Sequence, residues 1–422
     1  MFKPFRNFPV EIRVLKRVRV FLKAYPRQFW LLFWGMLVSF TGMSMIWPFL
    51  VVYLGKELEL PLTIVASLLT INAAASLLSS LLAGAITDRI GRKWAMVGGL
   101  AAYGITFLLM IPADTYFFYA ALMAFRGIFQ PLYSVGANAM VTDLVPAQDR
   151  DDAFALIRLS ENIGVAIGPA LGGVMASISY DLIFIFASAV TISFSILIAF
   201  FASETLPAAA RQIQERIAEN LKAYLNILRD RVFFWFAVGF TFRQISGSIL
   251  WVLLGAYTIE NYGLTEKLFG LIPTTNALMV VFLQLSVTRR TSRRHPLAVM
   301  ALGTLLYGLG VGLIALGSGF WGFWLCMVIV TIGELMVIPT ASSFTANRAP
   351  EAMRGRYMSL LTLTMGAGSM VGPLLGGFLN DTISPQATWY GGGAVGILGG
   401  LIYWILVRDT NQKKDSPIPS QA

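Results

Sequence analysis

Apolar runs of about 18 residues or more recur along almost the whole of this 422-residue chain. At about 1.5 Å per residue, each can cross a hydrocarbon core about 30 Å thick. A backbone in lipid must satisfy its own polar groups, so such runs fold as helices and the chain reads as an all-α polytopic membrane protein. Composition agrees: 56% of residues are hydrophobic and 13% charged, with mean hydropathy +0.69, against roughly 25% charged in soluble domains. An ordinary soluble enzyme is excluded. The single Cys326 permits no internal disulfide and the single His295 no multi-histidine metal site, so no metal and no cofactor is expected.

Caps, charges and Gly/Pro breaks place spans near 29–54, 62–86, 94–112, 116–141, 153–178 and 182–203, then 232–257, 268–288, 297–317, 320–344, 357–379 and 388–407. These make twelve, split six and six. The expected organisation is a basic segment 1–28, a six-helix bundle 29–203, a linker 204–231, a second six-helix bundle 232–407 and a tail 408–422.

Lys and Arg set the topology. Of 32, only Lys56 and Lys267 fall on one side and Arg126, Arg158 and Arg243 inside spans, leaving 27 on the other side. The positive-inside rule puts that side, both termini and the central linker in the cytosol. The net charge of +10 thus needs no nucleic-acid partner. Residues 11–25 interleave Ile12, Leu15, Val18 and Leu22 with Arg13, Lys16, Arg17, Arg19 and Lys23, a pattern that suits either a basic helix on anionic headgroups or a solvated topology-setting tail. In the linker Ile213, Ile217, Leu221, Tyr224, Leu225 and Leu228 recur at helical spacing, which predicts an amphipathic tether.

Sliding the sequence against itself by 204 positions aligns Trp47 with Trp251, Tyr53 with Tyr257, Asn72 with Asn276, Tyr103 with Tyr307, Pro146 with Pro350 and Arg150 with Arg354, without a gap. The same offset superimposes GPALGG at 168–173 on GPLLGG at 372–377. Composition bias matches glycines by chance, but not Trp, Tyr, Asn, Pro and Arg in one register, so the halves are repeats of one six-helix unit. Parallel repeats of this kind build secondary transporters, with a substrate cavity between the halves near the midplane.

The loop after span two reads Gly84-Ala-Ile-Thr-Asp88-Arg89-Ile-Gly91-Arg92-Lys93. Gly84 allows close helix contact, Gly91 a tight turn, and Asp88 stands where a helix N-terminus would attract it. The segment resembles the loop signature of the major facilitator superfamily. That resemblance covers the chain from first span to last, and implies a latch between the halves at the cytosolic face, with a relay of Asp88, Arg92, Asp143 and Arg150. The second-half counterpart has decayed, with Ser292 in place of Asp88 and Pro296 in place of Arg92. Span five carries Gly164, Gly168, Pro169, Gly172 and Gly173, a smooth, bent stripe for close packing. It resembles the motif of the superfamily's twelve-span drug/proton antiporters, although span eleven repeats it with Gly368, Gly372 and Pro373, as generic packing would.

Ionisable groups inside a span are costly and mark function. Arg126 lies near the middle of span four with Gln130 one turn on, and matches the superfamily's fourth-span Arg. Arg243 and Gln244 lie inside span seven, and Glu334, the repeat equivalent of Gln130, is the most central acid. Glu334 is therefore read either as a protonatable coupling residue or as the structural partner of Arg126 or Arg243. Asn72 and Asn276 are expected to line the cavity or to bond neighbouring helices. Trp47, Trp251 and Tyr257 are candidates for cavity lining or for the interfacial belt. Arg158 and Glu161 read as an i,i+3 ion pair.

The resemblance implies a monomeric transporter of the cell (inner) membrane that rocks between two access states. The leading expectation is proton-coupled efflux of small amphipathic compounds, with small-molecule substrate, protons and lipid as partners. Its rival is import or exchange of a small organic anion, which Arg126 and Arg243 would suit. An enzyme on the same fold is disfavoured: the one His lies in a loop, and there is no phosphate-binding loop of the Walker type.

Overall fold

The computed structural model describes residues 25–206, 227, 229–350 and 353–415. The expected helices in the N-terminal segment and the central linker lie outside the described residues. Among those residues twelve helices follow one another. They are α1 (Arg27–Leu58), α2 (Leu62–Ile90), α3 (Arg92–Met110), α4 (Tyr116–Leu144), α5 (Arg150–Ala176), α6 (Tyr180–Phe201), α7 (Arg231–Tyr262), α8 (Glu266–Thr291), α9 (Pro296–Leu313), α10 (Gly319–Arg348), α11 (Arg354–Thr382) and α12 (Pro385–Asp415).

Eleven of these are long and apolar enough to cross a membrane. The exception is α4, whose 29 residues suffice in length but whose apolarity is diluted by Arg126 and Gln130. That helix packs between α2 and α3, which shields its polar face from lipid. Elsewhere apolar side chains turn outward, as lipid requires: Leu78 is 67% and Phe282 74% exposed.

Local sequence explains where helices begin and bend. Pro48, with no N–H to give, opens a short 3-10 stretch, Trp47–Phe49, inside α1. The Ser179 hydroxyl accepts from Asp181 N–H to start α6. Asp230 caps α7 by accepting from Val232 and Phe233 N–H and takes two 2.8 Å bonds from Arg348. Burial pushes the Asp230 carboxyl up, but the Arg348 guanidinium and the two capping N–H groups outweigh it and hold it below the usual range.

The packing obeys the repeat. Helix α1 packs on α5 as α7 does on α11; α2 on α4 as α8 on α10; α3 on α6 as α9 on α12. Contacts between the halves are also symmetric, α2 with α11 and α8 with α5. The seams inside each half correspond atom for atom. Ser44 Oγ donates to Gly164 O at 3.1 Å, and Ser248 Oγ to Gly368 O at 2.7 Å, each residue 204 positions from its equivalent. A Cβ at Gly168 would overlap Ser44 Oγ and one at Gly372 would overlap Ser248 Oγ. Absence of a side chain is therefore what lets α1 approach α5 and α7 approach α11.

Candidate functional site

Between the halves lies a cavity of about 560 Å³, within the roughly 300–1,000 Å³ range of small-molecule sites. Both halves build it. The first contributes Asn72, Tyr103, Arg126 and Gln130, the second Arg243, Gln244 and Glu334, and Met43, Met123, Trp47, Trp251 and Leu50 supply apolar wall. All seven polar residues singled out from sequence except Asn276 line it.

Arg126 stacks on Tyr103, its guanidinium carbon 4.6 Å from the ring centroid, and Nη2 also donates to the Tyr103 hydroxyl. Phe107 lies beneath at 5.5 Å. Arg243 repeats the motif from another helix, 4.2 Å over the ring of Tyr307, the repeat equivalent of Tyr103. It is 4% exposed and donates to Gln244 Oε1. Aromatic faces thus hold both cations where water is scarce. Glu334 Oε1 lies 3.9 Å from Arg243 Nη2, so the structure pairs this acid with Arg243 and not with Arg126. Its Oε2 accepts from Asn276 Nδ2 at 2.9 Å, and Asn276 also donates to Thr331 at 3.0 Å. Asn276 is accordingly a buried interhelical link behind the carboxylate. Asn72 does both expected things: it faces the cavity and donates to Met123 O at 3.0 Å.

Trp47 and Trp251 stack on each other, centroids 5.7 Å apart. Equivalent residues of two repeats meet only at the axis relating them, so this pair marks the axis. Tyr257, by contrast, does not line the cavity: it is buried against Tyr262, Phe323 and Trp389. Beyond the tryptophans, at the face opposite the arginine-rich loops, the halves are clasped. Glu266 accepts from Lys56 Nζ and from the Tyr180 hydroxyl, both at 3.1 Å. Asp381 accepts from Thr63 N–H at 2.8 Å, Thr63 Oγ1 at 2.6 Å and Leu62 N–H at 3.3 Å, capping the start of α2.

At the arginine-rich face, three ion pairs of the described residues lie inside one half each. Asp88 pairs with Arg92, whose Nε lies 3.4 Å from Asp143, while Arg348 pairs with Asp230. Arg150 departs from the expected relay, since its Nε donates to Val145 O at 3.2 Å. Asp88 has its bond inside the loop, to Arg92, rather than to α11. Gly91 turns the chain at φ +103°, in the region only glycine adopts freely, and Arg89 ends α2 beside it. Sequence reasoning missed Glu204, which organises this loop: its carboxylate accepts from Arg92 N–H at 2.9 Å and Lys93 N–H at 3.2 Å, and from Thr205 and Leu206 N–H. The expected Arg158–Glu161 pair does not form. Arg158 turns to the exposed side of α5 while Glu161 is half-buried, and among the described residues no ion pair within 4 Å joins them.

In the span-five motif, Gly164, Gly168 and Gly172 press against the α1 backbone at Leu37, Thr41 and Met45. Gly173 faces Glu266 on α8, and Pro169 stands inside α5. The motif thus joins α1 within its half and α8 across the halves.

Two inverted-free, six-helix repeats about a polar, aromatic-walled cavity, clasped at one face, define the class of secondary transporters that work by alternating access. The sequence matches the Major Facilitator Superfamily over residues 32–247 and again over 237–422. The chain belongs to that superfamily and is a multi-pass membrane transporter, not an enzyme. It is 29% identical over 399 residues to the Na(+), Li(+), K(+)/H(+) antiporter of Planococcus maritimus, covering 86% of this chain and 92% of that one. With the quinolone resistance protein NorA of Staphylococcus aureus it shares 22% over 390 residues, 92% and 98% of the two chains. Among solved structures, a POT family transporter in complex with 5-aminolevulinic acid superimposes with TM-score 0.76 at 20% identity, over 91% of this chain and 96% of that one. The nucleoside transporter NupG does so with TM-score 0.78 at 13% identity, over 91% and 100%. These two likenesses concern the fold alone.

Proposed function

We propose that this chain is a proton-coupled antiporter that exports small amphipathic compounds through the central cavity, with Glu334 as the proton carrier. One observation carries the reading: a carboxylate on the cavity wall, 3.9 Å from a buried guanidinium. That separation exceeds the roughly 2.7–2.9 Å of a charge-assisted hydrogen bond, so the pair is held by charge and by Asn276 rather than locked. Protonating Glu334 leaves Arg243 without a counter-charge in a poorly hydrated place, which is costly and biases the halves toward another arrangement. A proton taken at one face and lost at the other would thus drive the exchange. The positive-inside rule puts the arginine-rich face in the cytosol, and the names of the two relatives above supply antiport and drug resistance as chemistry to test here.

The wall suits an amphipathic organic molecule. Trp47, Trp251, Met43 and Met123 offer apolar and adaptable surface, while Asn72, Gln130 and Gln244 offer hydrogen bonds. The alkali cations of the Planococcus protein are not carried over, because Glu334 is the one carboxylate among the lining residues, is paired with Arg243 and shares the cavity wall with a second guanidinium, that of Arg126. A second reading, exchange of an organic anion, is favoured by one feature: Nε of Arg126 and both Nε and Nη2 of Arg243 are buried without a protein hydrogen-bond acceptor.

The test uses purified protein in liposomes with an imposed pH gradient, a quinolone, a lipophilic dye and a panel of organic acids. Gradient-driven movement of the amphipathic probes is expected, abolished in Glu334→Gln while gradient-free counterflow persists. Full gradient-driven transport by Glu334→Gln would sink the assignment of the proton carrier. Movement of the acids alone, lost in Arg126→Gln, would establish the anion reading instead.

A further inference from the structure

The loop between α8 and α9 differs in charge from its repeat equivalent in a way that transport through the central cavity does not use. In the first half, Arg92 is matched by Asp88 and Asp143. Shifted by 204, those acids become Ser292 and Asn347, and Arg92 becomes Pro296. Conversely, Ala85, Ile86 and Ile90 become Arg289, Arg290 and Arg294, while Arg89 keeps its type as Arg293. One half sets Arg92 against two acids, and the other has lost every acid of that relay while holding four basic residues where the first holds three, Arg89, Arg92 and Lys93. Among the described residues none of the four arginines has an ion pair or a side-chain hydrogen bond.

All four line one recess of about 810 Å³ whose remaining wall, apart from Thr291, is apolar, formed by Ala298, Val299 and Leu302 of α9 and Met336 of α10. Leu302 is 53% exposed, so the apolar wall runs out onto the lipid-facing surface of α9. A topology signal requires cations in a loop, but it requires neither a shared recess nor an apolar wall leading from it into the hydrocarbon. Phosphate on a lipid headgroup supplies the missing acid, and its acyl chain suits the wall.

We propose that the recess between α8, α9 and α10 binds an anionic phospholipid of the leaflet bordering the arginine-rich face, its phosphate held by Arg289, Arg290, Arg293 and Arg294. The lipid takes the place of the carboxylates that brace the equivalent loop of the first half.

The test is thermal stability and lipid retention of the purified transporter titrated with phosphatidylglycerol, with phosphatidylcholine and with inorganic phosphate. Phosphatidylglycerol is expected to stabilise and to be retained, while phosphatidylcholine and free phosphate do neither. Each Arg→Gln change weakens the apparent lipid affinity about fivefold, from the roughly 1 kcal/mol that one basic residue contributes at an anionic surface. Asn347→Asp is a second variant that adds no gap to the fold: Asn347, Ser292 and Arg294 line one adjoining recess, so a carboxylate there competes for Arg294 and lowers lipid affinity without removing any cation. Stabilisation by phosphatidylglycerol that is unchanged in the fourfold Arg→Gln protein overturns the proposal. So does equal stabilisation by inorganic phosphate, or an Asn347→Asp protein that binds the lipid as the parent does.

Discussion

Arg243 and Glu334 form a unit whose parts are unequal. The guanidinium is almost wholly enclosed, with side-chain exposure of 5%, while the carboxylate keeps 21% toward the cavity. Removing the acid strands a buried cation, whereas removing the cation leaves an acid that water can still reach. Glu334→Gln should therefore cost more stability than Arg243→Gln, about 2 kcal/mol against about 1 kcal/mol once cavity water is allowed for. The double variant should cost less than the sum of the two, because no charge is then stranded. Denaturant titration of the four proteins in one detergent checks this, and strict additivity would mean that the two charges do not interact. Tyr307 enters the same unit through its face. Tyr307→Leu should lower transport with Arg243 still in place, whereas Tyr307→Phe should retain it, since the ring holds the guanidinium.

At the scale of helices, two kinds of contact decide how rigid each half is. Gly168 and Gly372 are equivalent, each facing a serine hydroxyl that bonds the helix next to it. Gly168→Ala and Gly372→Ala should each destabilise by about 1–3 kcal/mol, the range for overpacking, and by similar amounts because the seams match. A large disparity in thermal unfolding would show that the two seams are energetically distinct. Glu204 is the other contact, closing the N-terminal turn of α3 with its carboxylate; Glu204→Ala should cost about 1–2 kcal/mol, as for lost helix caps, and loosen the Asp88–Arg92 loop. The seams were legible in the sequence, since glycines at i, i+4 and i+8 announce close approach. Glu204 was not, because a carboxylate capping a helix more than a hundred positions away leaves no periodicity. Helix α4 shows the opposite lesson: Arg126 and Gln130 leave it outside the eleven helices that apolarity alone would pick out, although its flanking caps and breaks place a span at 116–141, and the same two residues mark the cavity.

Over the whole molecule, the 204-residue offset carries more structural information than any single motif. It foretells two bundles, and it also implies that Trp47 and Trp251, if close to the axis, must meet one another, a consequence the alignment contains without stating. What the offset does not contain is the clasp, because Lys56, Glu266, Thr63 and Asp381 are not related by it as pairs. Asymmetric bonds on a symmetric frame are well placed to set which access state is preferred, since the frame itself treats both faces alike. Each exposed pair contributes about 0–1 kcal/mol, so the two together weight the equilibrium by up to about 2 kcal/mol, a factor of up to about 30. Lys56→Gln combined with Asp381→Asn should accordingly shift the population toward a state parted at that face. With Cys326→Ser removing the only native thiol, spin labels on Leu60→Cys and Leu268→Cys, both exposed beside the clasp, report the separation. The expected result is a longer-distance population that grows in the clasp variant and grows further when Glu334→Gln is added, since the cavity charge and the clasp then act on one equilibrium. An unchanged distance distribution in the clasp variant would instead place the preference for this state in the apolar seam of Trp47, Phe49, Trp251 and Phe269, which removal of charge would not move.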